Sequence, residues 1–317
     1  MATAEQIKSL LRSHFDNDSE RFLTISLQVA AHEARQGHAA LAEEIKGLVE
    51  KNKSNKTRVI TLHPDLSDLI LQKEPDAKLP ELIVNDLIKI RITRLLKEYR
   101  QKSKIQQFGL QNRRKLLISG PPGTGKTLTA SIIAGELHLS LYTILVDKLI
   151  TKYMGETAAK LRQIFEVIAR QKGVYLFDEF DAIGAERGRE NEVGEMRRVL
   201  NAFLQFIEHD KSESFIIAAT NNPGILDKAL FRRFDDVLYY NLPEKDQVVQ
   251  LIKNRLGTFK GAYQLESIVG EIGALSHSDI CQACDDAIKD AILEGKTKTS
   301  KELLLNMLKD RLDVYRQ

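Results

Sequence analysis

The feature that most constrains this chain is a glycine-rich stretch at residues 120–127, which reads GPPGTGKT. It fits the pattern G-x-x-x-x-G-K-[ST], and it lies between an apolar run at residues 115–119 and a helical pattern at residues 128–137. In a strand–loop–helix arrangement, the loop turns its backbone N–H groups and the positive end of the helix toward one anion. The sequence therefore predicts a loop that binds nucleotide phosphates.

The residue types within this loop suit that task. Gly123 and Gly125 allow the backbone to turn inward around phosphate oxygens. Lys126 would reach the β- and γ-phosphates, and the Thr127 hydroxyl would bind Mg²⁺. The predicted nucleotide-binding residues are Gly120, Pro121, Pro122, Gly123, Thr124, Gly125, Lys126, Thr127 and Leu128.

Two carboxylates, Asp178 and Glu179, follow a second apolar run at residues 173–177. A carboxylate at the end of a buried strand needs a partner, and Mg²⁺ is a natural one. Asp178 would hold the metal through water, and Glu179 would polarise the attacking water as general base. Asp181 fits the cap of the next helix.

Short apolar runs alternate with helical patterns through the middle of the chain. This alternation predicts an α/β fold with a mainly parallel sheet covered by helices. Combined with the glycine-rich loop at residues 120–127, it predicts a P-loop NTPase parallel sheet covered by helices. No strand pattern follows Pro243, and helical patterns at residues 244–256, 277–293 and 300–314 predict a small all-α lid. The predicted strands cover residues 115–119, 141–145, 173–177, 215–219 and 237–240.

The domain boundaries follow from the same patterns. Residues 1–54 are predicted as a short helical N-terminal domain of three helices that docks a partner or substrate, and residues 55–80 as a linker. The ATPase core would span residues 81–241, beginning with one long helix over residues 82–107, and the lid residues 242–317.

The composition narrows the class of protein. The net charge is only +3, from 47 basic and 44 acidic residues, which gives no indication of an electrostatic nucleic-acid binder. Two cysteines and no signal-like start favour a cytoplasmic protein, and no apolar run is long enough to cross a membrane. Cys281 and Cys284 form a lone C-x-x-C, which lacks the four ligands of a zinc site and indicates two buried helix residues.

Taken together, the motifs resemble the AAA ATPase family over roughly residues 80–295. Besides the two motifs above, residues 218–221 (AATN) and 232–235 (RRFD) are similar to the family's second region of homology. The resemblance implies an Mg²⁺-dependent ATP hydrolase that works as a homo-oligomeric ring, with a hexamer as the expected size. The chain looks most like compact bacterial members with one ATPase module.

The resemblance also implies roles for single residues. Asn221 would orient the attacking water near the γ-phosphate. Arg232 and Arg233 would project into the nucleotide site of the neighbouring subunit, where one of them would act as an arginine finger that stabilises the transferred phosphoryl group. Because the two residues are adjacent, it stays open which one has this role. The segment at residues 273–280 (GALSHSDI) resembles a motif of the family's lid. Within it, His277 and Ser278 fall near the position of the family's second sensor residue, and neither is an arginine. The resemblance implies that they would contact adenine or phosphate.

Lys152, Tyr153 and Met154, followed by glycine, resemble the family's first pore loop. An aromatic side chain on such a loop can grip an extended chain by contact area alone. A second, charged pore loop is expected near residues 186–192 (ERGRENE).

Three functions remain open from the sequence. The first is a motor that remodels, unfolds or disassembles a protein by threading it through the pore. The second is a nucleic-acid-linked ATPase of the clamp-loader or initiator type, and the third is a small-molecule phosphotransferase. The near-neutral charge and the pore-loop aromatic favour the first. Some relatives are encoded beside a subtilisin-like protease, so a separate protease subunit is a further expected partner.

Overall fold

The computed structural model describes residues 4–15, 19–55, 64–152, 156–184, 190–225 and 228–314. The chain divides into two compact units, residues 1–60 and residues 61–317. None of the described helices combines the length and the hydrophobicity that a membrane-spanning helix requires.

The N-terminal unit consists of three helices, as the sequence predicts: α1 (Ala4–Phe15), α2 (Ser19–Arg35) and α3 (Ala39–Asn55). Between α2 and α3, Gly37 has a φ of +86°, a conformation that side chains with a β-carbon rarely adopt. The unit is held together by small and aliphatic side chains that α2 and α3 bury, namely Ile25, Val29, Ala30, Ala42 and Val49.

The second unit is built on a six-stranded sheet with the order β1-β3-β4-β5-β2-β6. All neighbouring strands are parallel except β1 and β3, so the predicted α/β class is confirmed. The five predicted strands occur within about one residue of their expected bounds. The strands are β1 (Ile70–Lys73), β2 (Lys115–Ser119), β3 (Leu141–Leu145), β4 (Val174–Asp178), β5 (Phe215–Thr220) and β6 (Asp236–Tyr239).

The linker predicted at residues 55–80 is wrong for the residues that form strand β1. It pairs antiparallel with β3, with Ile70 opposite Ile144. Leu66, Leu69 and Ile70 are buried in the core of this unit. The described part of the predicted linker therefore belongs to the sheet unit rather than to a connection between domains.

The helices around the sheet also differ from the prediction at one place. The helix expected at residues 82–107 begins only at Asp86, where the Asn85 side chain accepts a hydrogen bond from the Ile88 N–H at 2.9 Å. It is interrupted at Gln101, whose backbone is not helical. The helices are α4 (Pro64–Ser67), α5 (Asp86–Arg100), α6 (Lys102–Gln107), α7 (Lys126–Leu137), α8 (Val146–Lys152), α9 (Thr157–Arg170), α10 (Asp181–Gly184), α11 (Glu190–His209) and α12 (Lys228–Phe231).

Alternate side chains of the central strands pack on opposite faces of the sheet. On one face, Tyr175 and Phe177 pack with Phe203 of α11. On the other face, Leu116 and Ile118 pack with helices α5 and α7. Both faces of the sheet are therefore covered by packed side chains.

The predicted lid has three long helices, α13 (Lys245–Leu256), α15 (His277–Leu293) and α16 (Lys301–Val314), with a short α14 (Leu265–Val269) between the first two. Its core also includes Ile83, from the segment before α5. Both cysteines lie in α15, as predicted. Cys284 is buried in this core, whereas Cys281 is only half-buried, so the prediction of two buried residues is confirmed for Cys284 and wrong for Cys281. Burial raises the pKa of Cys284 to about 12.

Candidate functional site

The sequence-predicted polar residues come together at the carboxyl edge of the sheet. Strand β2 leads into the glycine-rich loop, β4 ends at Asp178, and β5 leads to Asn221. The Gly120 N–H donates to the Thr220 carbonyl at 3.2 Å, which ties the start of the loop to β5. Parallel pairing of β2, β4 and β5 therefore builds the site.

The loop requires glycine at two positions for different reasons. At Gly120, an added β-carbon would collide with the backbone of Tyr240, just after β6. Gly123 has a φ of +73°, and an added β-carbon would lie 2.5 Å from the Ser276 Oγ of the lid. The Ser278 N–H donates to the Gly123 carbonyl at 2.9 Å, so the loop is packed directly against the lid.

Lys126 is nearly buried, with 7% of its surface exposed. Its Nζ donates to the carbonyl oxygens of Gly120 and Pro121, each at 2.8 Å. Burial lowers its pKa, while Asp178 and Asp181 act in the opposite direction. Two carbonyl dipoles only partly balance an ammonium charge, so a phosphate oxygen beside Nζ would be stabilised.

The predicted metal ligands are in contact. The Thr127 Oγ1 donates to the Asp178 Oδ2 at 2.9 Å, and the Glu179 N–H donates to the Asp178 Oδ1 at 3.0 Å. A hydroxyl beside a carboxylate supplies the hard oxygen donors that Mg²⁺ prefers. The residues present therefore fit this ion.

Glu179 occupies a tight turn between β4 and α10. It has a φ of +51°, in the left-handed region, and its side chain is exposed to the cleft. Phe180 anchors the turn, because its N–H donates to the Ala219 carbonyl at 2.8 Å and its ring packs on Phe203 at 4.6 Å. The carboxylate is thus held at the sheet edge by a buried neighbour.

Asp181 has a contact that sequence reasoning missed. Asp181 is expected to cap the next helix, but α10 begins at Asp181 itself, and its Oδ1 accepts a hydrogen bond from the Asn221 N–H at 3.1 Å. Asn221 itself is exposed and lines the cleft. The turn after β4 and the end of β5 are therefore joined, and no local sequence pattern indicates this pairing.

Arg232 and Arg233 lie in the turn between α12 and β6, and both are exposed. Arg233 forms an ion pair with Glu208 at 3.1 Å. Within the described residues Arg232 makes no ion pair, and neither arginine is among the described residues that line the cleft of its own chain.

The cleft itself has a volume of about 460 Å³ and is formed by the sheet edge, the segment before α5 and the lid. The lid residues predicted to meet the nucleotide, His277 and Ser278, both line it. The lining residues are Glu81, Leu82, Ile83, Pro122, Gly123, Thr124, Gly125, Lys126, Thr127, Leu128, Asp178, Glu179, Asn221, Leu251, His277, Ser278 and Cys281.

The two predicted pore loops fall largely outside the described residues. Lys152 is the last residue of α8, whereas Tyr153 and Met154 lie outside the part that the structure describes. Residues 186–189 of the second loop also lie outside it, and residues 190–192 form the first turn of α11. Both loops stay predictions.

Comparisons with known proteins agree on one group. The family model described as "ATPase family associated with various cellular activities (AAA)" matches residues 116–242. An uncharacterized AAA family ATPase, y4kL, of Sinorhizobium fredii is 33% identical over 317 residues, which cover 98% of this chain and 96% of that protein.

Two further relatives match a shorter part of the chain. A proteasome-activating nucleotidase of Methanoregula boonei is 33% identical over 217 residues, which cover 65% of this chain and 50% of that protein. A putative cell division cycle ATPase of Plasmodium falciparum is 33% identical over 202 residues, which cover 59% of this chain and 16% of that one.

Proposed function

The chain belongs to the AAA family of ATPases and hydrolyses ATP, and from this premise we propose that it forms a ring that remodels a protein substrate. One observation supports the ring: among the described residues that line the cleft, Lys126 is the only lysine or arginine. Phosphoryl transfer develops charge that enzymes of this kind balance with an additional arginine. The exposed Arg232 and Arg233 can supply it to a neighbouring subunit.

The reaction assigned to the cleft is attack of water on the γ-phosphorus of ATP. Glu179 takes the proton from this water as the new P–O bond forms, and the bond to the bridging β–γ oxygen breaks to give ADP and phosphate. Lys126 holds the β- and γ-phosphates, and Asn221 orients the water. Thr127 and Asp178 would hold Mg²⁺, which would draw charge from the phosphate oxygens when bound.

Of the two arginines, Arg232 is the better finger for the neighbouring site. Arg233 is occupied by Glu208, although an ion pair between two exposed residues contributes only about 0–1 kcal/mol. Arg232 would need to break no ion pair with a described residue in order to reach a phosphate. An arginine finger raises the rate by about 10³–10⁵ in well-studied cases.

The protein substrate is the part of the proposal that rests on resemblance. Lys152, Tyr153 and Met154 match the pattern of a substrate-gripping pore loop, and one relative carries the name of a proteasome-activating nucleotidase. Residues 1–54 would dock a partner or substrate. A separately encoded protease is a further proposed partner.

Tyr153 provides the test. ATP turnover is measured for the parent, Tyr153→Ala and Tyr153→Phe, each with and without unfolded casein. The proposal expects casein to stimulate the parent and the Phe variant, and the Ala variant to keep basal turnover without stimulation, because ring area makes the grip. Stimulation of the parent by DNA rather than by casein would favour the nucleic-acid-linked function. Equal stimulation of the parent and Tyr153→Ala would contradict threading through this loop.

A further inference from the structure

Tyr240, the first residue after β6, contacts both ends of the glycine-rich loop, although it lies outside the sequence motifs described above. It is buried, with 2% of its surface exposed. Its N–H donates to the Ser119 carbonyl at 2.7 Å, directly before the loop. Its own carbonyl oxygen occupies the space that a β-carbon on Gly120 would need. The backbone of Tyr240 therefore holds the start of the loop.

The end of the loop is held by the phenol of the same residue. The Tyr240 hydroxyl lies 2.6 Å from the Oγ1 of Thr129, a fully buried residue in the first turn of α7. The Thr129 Oγ1 donates in turn to the Gly125 carbonyl at 2.9 Å. Because a carbonyl oxygen can only accept, the single hydroxyl proton of Thr129 is used there, and the Tyr240 O–H is the donor of the other pair.

The two hydrogen bonds form a relay from Tyr240 through Thr129 to Gly125, and it ends directly before Lys126 and Thr127. A threonine that bonds the carbonyl four residues earlier is common in helices. The additional feature here is a buried donor that arrives from the end of a separate strand. Burial raises the pKa of Tyr240, so its hydroxyl stays protonated near pH 7 and keeps donating.

We propose that Tyr240 is a positioning residue for ATP hydrolysis, whose backbone and phenol together fix the two ends of the phosphate loop. It is not among the described residues that line the cleft, so it acts through Thr129 and Gly125 rather than on the nucleotide. The proposal goes beyond the ring function and rests on the assignment of this loop to the phosphates. Small misplacements of reacting groups cost more in rate than in ground-state binding, so kcat is the sensitive quantity.

The first test removes one oxygen atom. Tyr240→Phe keeps the buried ring and deletes the donor. We expect kcat for ATP hydrolysis to fall about tenfold, whereas the ADP dissociation constant, measured by calorimetry in Mg²⁺ buffer, stays within about threefold of the parent. Tyr239→Phe, at the neighbouring exposed tyrosine, is the matched control and should keep the parental kcat.

Two results of this test would overturn the proposal. One is a parental kcat for Tyr240→Phe, and the other is an equal loss of turnover and ADP affinity, which would assign the phenol a structural role. Failure of the parent chain itself to bind ADP would instead overturn the assignment of the loop to the phosphates, and the positioning role with it.

The second test addresses the relay through Thr129. Thr129→Val keeps the shape of the side chain and should lose at least as much kcat as Tyr240→Phe, whereas Thr129→Ser keeps the hydroxyl and should recover most of it. The double variant, Thr129→Val with Tyr240→Phe, should lose no more kcat than Thr129→Val alone, because both changes break the same relay.

Thermal melting gives a second reading of the same variants. Thr129→Val leaves the buried Tyr240 O–H without its acceptor, so it should melt at a lower temperature than the double variant, in which both polar groups are gone. Losses of kcat that multiply in the double variant, or a double variant that melts below Thr129→Val, would show two independent contacts and overturn the relay.

Discussion

The carboxylate of Asp181 accepts a hydrogen bond from the backbone N–H of Asn221 at 3.1 Å, across 40 residues of sequence. This contact joins the turn that carries Glu179 to the end of β5, where Asn221 lines the cleft. Asp181 therefore fixes the position of the proposed general base, Glu179, relative to the proposed water-orienting residue, Asn221. Asp181 need not contact ATP to do so.

Asp181→Ala is expected to lower kcat for ATP hydrolysis by about 10- to 100-fold with little change in KM, because small misplacements of reacting groups are costly in rate. Asp181→Asn keeps an oxygen acceptor and should stay within a few-fold of the parent. Steady-state ATPase kinetics separate kcat from KM. Equal losses in the two variants would show that the charge of Asp181 matters, rather than its hydrogen bond.

Glu179→Gln should bind ATP with near-parental affinity and hydrolyse it about 10²- to 10⁴-fold more slowly, since only the proton acceptor is lost. Lys126→Ala should instead lose nucleotide binding. Calorimetric binding and single-turnover hydrolysis measure the two properties separately. Near-normal turnover by Glu179→Gln would mean that another group is the base.

Mixing experiments test the action of the arginine across subunits. Lys126→Ala and Arg232→Ala chains should each be nearly inactive alone. When they are mixed, some interfaces join an intact nucleotide site to an intact arginine, so part of the ATPase activity should return.

The matched control is Arg233→Ala, which removes the arginine that is paired with Glu208. If Arg232 is the finger, Arg233→Ala should lose less activity than Arg232→Ala. The reverse order would make Arg233 the finger and leave the ring intact. Normal hydrolysis by both single variants would contradict a ring mechanism.

A chain that begins at Thr61 tests the N-terminal unit. Because residues 61–317 form a compact unit that contains every described residue of the nucleotide cleft, basal ATPase activity should stay within a few-fold of the parent. Recruitment of a protein partner should be lost, as measured by co-purification with the full-length Glu179→Gln chain as the positive reference. Insoluble expression would point to a structural role for residues 1–60.

The parts of the site that the sequence predicts are those that depend on neighbours in the chain. The loop at residues 120–127 and the pair Asp178 and Glu179 follow directly from the strands that precede them, and the structure brings both to one edge. By contrast, the left-handed backbone of Glu179 and the hydrogen bond between Thr127 and Asp178 are visible only in the three-dimensional structure.

The parts that sequence reasoning missed depend on distant partners. Strand β1 is four residues long and has one buried side chain in the pattern, so it lacks the alternation that marks a strand. Its position is fixed by pairing with β3. Likewise, the hydrogen bond between Asp181 and Asn221 arises only when separate elements pack together.

At position 179, the residue that would give the most stable fold differs from the residue that ATP hydrolysis requires. A left-handed φ of +51° costs a residue with a β-carbon about 1–2 kcal/mol, and glycine would relieve that cost. Selection for thermal stability alone would therefore replace this glutamate. The resulting protein would be more stable and would bind ATP without hydrolysing it. A thermostabilising screen of this chain that ignores activity should recover glycine at residue 179 among its hits.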